Sequence, residues 1–121
     1  MQIAANILVG LVALLHVYFL VLEMFLWTHP IGLRTFSQSL QRAQDSAVLA
    51  ANQGLYNGFL AAGLIWGLVH ADAAVGFQIK VFFLVCVMVA GVYGASSVSR
   101  RILYVQAAPA ALAIVLLYLA R

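Results

Sequence analysis

Four apolar runs, each about as long as the roughly 20 residues a helix needs to cross a hydrocarbon core, take up most of this chain of 121 residues. They extend from about Ile3 to Trp27, Ala47 to Val69, Val75 to Ala95 and Ile102 to Ala120. The expected fold is all-α: an integral membrane four-helix bundle forming one transmembrane domain over residues 1–121. Composition points the same way, with 66% hydrophobic and 7% charged residues against about 25% charged in soluble domains. A soluble chain this short leaves too much area in water to hide so much apolar surface, so membrane lipid is the expected surrounding partner. Six basic and three acidic residues give a net charge of +3, with no clustered basic face, and nucleic acid is not an expected partner. Cys86 stands alone in an apolar run, which excludes an internal disulfide and a Cys/His zinc spacing. No cleavable signal is expected, because residues 3–27 lack a basic leading region and the apolar run is too long.

The connections order the spans. His70 to Ala74 and Ser96 to Arg101 are short, and short connections make neighbouring helices antiparallel. Thr28 to Ser46 is longer. In it Leu33, Phe36 and Leu40 recur at helical spacing between Arg34, Gln38, Gln41 and Arg42, which predicts a short amphipathic helix in the interface, either a connector or a lid. Arg34, Arg42, Arg100 and Arg101 lie in the first and third loops, against Arg121 and a snorkelling Lys80 on the other side. The basic excess places those two loops in the cytoplasm and both termini outside. Gly54, Gly58 and Ala62, and separately Gly63 and Gly67, repeat every four residues, as close helix contacts in lipid require. Pro109 deprives the Val105 carbonyl of its intrahelical partner.

Polar groups inside spans are expensive and mark sites or helix contacts. His16 and Glu23 are seven residues apart on one face of the first helix. The second helix adds Asn52, Gln53, Tyr56 and Asn57; the third adds Tyr93 near its end and the fourth Gln106 near its start. Counted from the span ends, Glu23, Asn52, Tyr93 and Gln106 fall within one or two turns of the same membrane face, with His16, Tyr56 and Asn57 deeper. Glu23 and His16 are therefore the candidate catalytic pair, and Asn52, Gln53, Tyr56, Asn57, Tyr93 and Gln106 the candidate ligand-binding groups. The competing reading is adhesion, each hydrogen bond holding helices together by about 0.6 kcal/mol. One deep histidine and one glutamate do not make a haem or two-metal site, so no metal is expected and no cofactor is named. Asn6 is read as structural, and His29 and His70 as helix-end residues.

The runs LLHVYFLVLEMFLW (Leu14 to Trp27), NQGLYNGFLAAGL (Asn52 to Leu64), VAGVYGA (Val89 to Ala95) and RILYVQAAPA (Arg101 to Ala110) resemble domain-of-unknown-function family 1304. The resemblance covers nearly the whole chain and is most specific in NQGLYNGFLA and VQAAPA. It implies a prokaryotic integral membrane protein, placed in the bacterial inner membrane, and implies no activity. The chain is also similar to small multidrug transporters in having four short spans and a membrane-embedded glutamate in the first. It departs from them in His16, in the amide-rich second helix and in the longer first loop.

Three functions follow as expectations. The leading one is an intramembrane pocket that binds or acts on a small lipophilic or amphiphilic molecule, with Glu23 and His16 titrating and the amides and tyrosines orienting the ligand. The second is proton-coupled transport of a small molecule, with Glu23 exchanging protons for a cation in a homodimer. The third is a structural or accessory membrane subunit. A lone occupied cavity, a glutamate facing a second copy and a dry paired cluster, respectively, would distinguish them.

Overall fold

The computed structural model describes residues 1–97 and 100–121, with Arg100 described by its backbone alone. The chain is all-α among these residues. Three helices are long: α1 (Gln2–Met24), α3 (Leu40–Val69) and α4 (Ala73–Ser97), with the short α2 (Pro30–Thr35) between the first two. A C-terminal helical run follows: α5 (Arg100–Ile102), a π segment (Leu103–Ala107) and α6 (Ala108–Leu119). Among the described residues two helices, α1 and α4, are long and apolar enough to cross a membrane. The 30-residue α3 is longer than either, but Asn52, Gln53 and Asn57 dilute its apolar run.

The chain divides into two compact units, Leu14–Phe59 and the combination of Met1–Ala13 with Leu60–Arg121. In the latter, Val9, Leu64, Leu84, Val87, Ala113 and Leu117 are among the residues of one buried core. Glycines set its helix spacing. A Cβ at Gly91 would stand 2.8 Å from both the Cβ and the backbone nitrogen of Ala107, and one at Gly94 would stand 3.0 Å from Ile102. The rising number on one side against the falling number on the other makes α4 and the C-terminal run antiparallel. The contacts of Gly63 with Phe83 and of Gly67 with Gly76 and Lys80 make α3 and α4 antiparallel in the same way. Asp72 starts α4 by accepting the backbone N–H groups of Ala74 at 2.9 Å and Val75 at 3.2 Å, the usual role of an N-cap carboxylate. The tight turn after α3 is thus a capped start. The third-loop turn expected from Ser96 to Arg101 includes Val98 and Ser99, which lie outside the described residues; α4 itself reaches Ser97.

The fourth expected helix, from Ile102 to Ala120, is present but widened. Its π segment ends two residues before Pro109, and the N–H of Ala108 reaches back five residues to the Leu103 carbonyl. Proline removes one donor and crowds the preceding turn, and a wider turn relieves that crowding.

In the unit Leu14–Phe59, the first loop differs from the expected amphipathic helix over Leu33 to Arg42. Pro30 forces His29 into extended backbone (φ −84°, ψ 161°), so α2 starts at the proline, while α1 stops at Met24, short of the expected Trp27. Then Ser37 takes φ 51°. The N–H of Gln38 bonds to Leu33 at 3.1 Å and that of Ser37 to Arg34 at 3.3 Å, a Schellman closure that ends α2 after six residues. Ser39 opens α3, its Oγ accepting from the Arg42 N–H at 3.2 Å. Serines that bond their own backbone interrupt a helix that apolar periodicity alone would continue. The loop is folded down by Gly32, where a Cβ would collide with the Leu26 carbonyl oxygen and stand 2.9 Å from that of Trp27.

Candidate functional site

Glu23 and Asn57 meet across α1 and α3. The Asn57 Nδ2 donates to Glu23 Oε1 at 2.5 Å, and both residues are half-buried. The approach depends on Gly54, one turn before Asn57. A Cβ there would stand 2.6 Å from Met24 Cγ, 3.1 Å from Glu23 Cβ and 3.2 Å from the Leu20 carbonyl. Gly58 makes room for the Leu20 side chain, whose Cδ1 would lie 2.8 Å from an added Cβ, so it is Gly54 that lets the two helix backbones approach where the carboxylate lies. One turn beyond Glu23, the Trp27 Nε1 donates to Ser46 Oγ at 3.1 Å and its ring lies 4.8 Å from that of Phe36. This ties the end of α1 to the start of α3 and to the loop after α2.

The Glu23–Asn57 pair has a definite chemical sense. The carboxylate fixes the amide with its NH2 inward, so the Asn57 Oδ1 and the second carboxylate oxygen remain as acceptors. His16, two turns earlier on α1, is fully buried with its ring edge-on to Phe19 at 5.7 Å.

The remaining candidates are placed differently. Glu23's partner is Asn57, which depth counting places deeper than the level of Glu23, Asn52, Tyr93 and Gln106. Asn52, Gln53 and Tyr56 lie on the exposed surface of α3. Successive residues of a helix step about 100° around it, so Asn52 cannot face α1 together with Gly54 and Asn57. Tyr93 and Gln106 belong to the other unit. Tyr93 is exposed, lining a shallow apolar groove with Met88, Val89, Val92 and Ser96, while Gln106 is half-buried in the π segment.

Sequence reasoning passed over a second polar pair. Lys80 was expected to snorkel outward, but it is 6% exposed and its Nζ donates to Asn6 Oδ1 at 2.9 Å. Depth counting applied to the other membrane face would have found it, since Asn6 and Lys80 both lie within two turns of the starts of their helices. Among the described residues no group of three or more His, Cys, Asp or Glu side chains could hold a metal ion.

The family described as "Protein of unknown function (DUF1304)" matches residues 10–118. An "Uncharacterized protein YpaA" of Lactococcus lactis subsp. lactis (strain IL1403) is 31% identical over 117 residues, covering 95% of this chain and 97% of the relative. No solved structure matches significantly.

Proposed function

Because the chain belongs to the DUF1304 family, whose description names no activity, we propose a function from its own residues: an integral membrane protein whose Glu23–Asn57 pair receives the polar end of a small amphiphile. Four spans are proposed, made by α1, the later part of α3, α4 and the C-terminal run. The support is exposed apolar surface. Only 28% of the apolar window in α1 and 33% of that in α4 is buried, whereas a core helix of a soluble protein would be mostly covered. Ile3, Ile7, Phe59, Phe82, Val89 and Leu112 are all more than half exposed. Apolar surface on this scale belongs against lipid. The loop charges then put the first loop in the cytoplasm of a bacterial inner membrane and both termini outside.

The carrying observation is the Asn57–Glu23 hydrogen bond between apolar helices. Its free acceptors suit a protonated amine or another hydrogen-bond donor at the head of an apolar molecule. Binding of a dansylated dodecylamine to the purified full chain in neutral-lipid nanodiscs tests this. Glu23→Gln keeps the shape and most hydrogen bonds, and it should weaken binding by about tenfold or more with an unchanged unfolding midpoint. Equal binding by the variant refutes the reading; equal loss of fold and binding returns the pair to adhesion.

A second reading draws on Asn52, Gln53 and Tyr56. Their exposure on a helix proposed to span lipid favours coverage by a second copy of the chain, the arrangement that proton-coupled transport by a homodimer would need. Cross-linking at Gln53→Cys, with Cys86 replaced, would report such a dimer.

A further inference from the structure

The charge of the second polar pair is the buried one, and it points to a ligand of the opposite sign. Lys80 lays its stem across Gly67, where a Cβ would stand 2.6 Å from Lys80 Cγ, and its Nζ donates to Asn6 Oδ1. An ammonium carries three donors. A neutral amide oxygen occupies one and brings no countercharge. The chain has three carboxylate side chains, Glu23, Asp45 and Asp72. Glu23 is bonded to Asn57, Asp45 to Gln41, and Asp72 to the first N–H groups of α4. Among the described residues, none of them forms an ion pair with Lys80. A buried charge without a countercharge is costly, and the chain itself has no carboxylate side chain left to supply one.

The surroundings of the pair have the form of a head-group seat with room for a tail. Since Lys80 holds the Asn6 Oδ1, the amide NH2 is left as a second donor beside the ammonium. Gly10 lies one turn on from Asn6 along the same face of α1, and a Cβ there would meet nothing within 4 Å. Ile3 and Ile7 flank Asn6 and are 76% and 59% exposed, giving an apolar wall beside the open strip.

We propose that Lys80 and Asn6 bind the oxyanion head group of a membrane amphiphile, the carboxylate of a fatty acid or the phosphate of an anionic phospholipid, with its acyl chain lying along α1 past Gly10. The ammonium neutralises the anion, the Asn6 amide fixes its position, and the strip at Gly10 admits a chain that a larger residue would exclude.

Native mass spectrometry of the full chain in neutral detergent tests this with four probes: oleate, phosphatidylglycerol, methyl oleate and phosphatidylcholine. Oleate or phosphatidylglycerol should be retained and the two probes without net charge should not. Retention of oleate alone identifies a fatty carboxylate, and retention of phosphatidylglycerol alone a phospholipid phosphate. Lys80→Met should lower retention by about tenfold, Lys80→Arg should preserve it, and Glu23→Gln should leave it unchanged, which separates this site from the Glu23 pair. Gly10→Leu provides a variant that keeps the charge and fills the strip; it too should lose retention, with its helical circular dichroism intact. Equal retention of charged and uncharged probes overturns the proposal, and so does retention unaffected by both Lys80→Met and Gly10→Leu.

Discussion

In the unit Leu14–Phe59, Asn57 gives its NH2 to Glu23; in the unit built from Met1–Ala13 and Leu60–Arg121, Asn6 gives its carbonyl oxygen to Lys80. Each contact joins two apolar helices through one amide, and each amide turns a different end toward its charge. What is left over is therefore opposite: acceptors beside the carboxylate, donors beside the ammonium. Glycine makes both possible, Gly54 by admitting the α1 backbone at Glu23 and Gly67 by admitting the Lys80 stem. The two differ in burial. Lys80 is almost fully covered while Glu23 is half-buried, so disturbing the lysine pair should cost more stability than disturbing the glutamate pair.

The strongest test of that contrast is Asn6→Leu. Removing one partner of a buried charge should destabilise by about 3 kcal/mol, read from equilibrium unfolding in mixed micelles. The double change Asn6→Leu with Lys80→Met should recover most of the loss, since an apolar pair of similar volume is often neutral or better. No recovery would mean that Asn6 acts through something other than the lysine. Next come the glycines. Gly91→Ala would press a methyl onto the backbone of Ala107 and should cost about 2 kcal/mol. Gly54→Ala meets Met24 Cγ before it meets Glu23 Cβ and the Leu20 carbonyl, and should cost less, about 1 kcal/mol. Reversal of that order would show that the helix contact at Glu23 is the more rigid of the two.

A smaller effect is expected at the glutamate pair itself. Asn57→Leu should lower stability by about 1 kcal/mol, less than half the loss from Asn6→Leu, and a loss as large as that from Asn6→Leu would break the comparison. Smallest is Ser37→Gly. Ser37 stands at φ 51°, where a side chain is strained and glycine is not, and the change should raise stability by about 0.5 kcal/mol. It lies outside both pairs and should leave probe binding at either unaltered.

The long helices were legible because apolar runs of span length have few folded alternatives, and the turn from His70 to Ala74 because Asp72 caps the helix that follows it. The family was legible in the segments around Glu23, Asn52 and Gln106. Charge inside an apolar helix was equally plain for Glu23, but depth counting groups it with Asn52, Tyr93 and Gln106 and puts Asn57 deeper. Which amide it meets was not, because Asn52 and Asn57 stand five residues apart and face different directions; the packing of Gly54 on α1 decides between them. Lys80 was misread for a related reason. A lysine near a helix start can reach water or turn inward, and sequence depth is the same for both. Only the gap left by Gly67 and the acceptor offered by Asn6 turn it inward. Periodicity and composition thus determine which helices form and roughly how deep each polar group lies, because these depend on one helix at a time. Tertiary structure decides which polar groups share a contact and which way an amide turns, because that requires two helices at a fixed rotation and spacing.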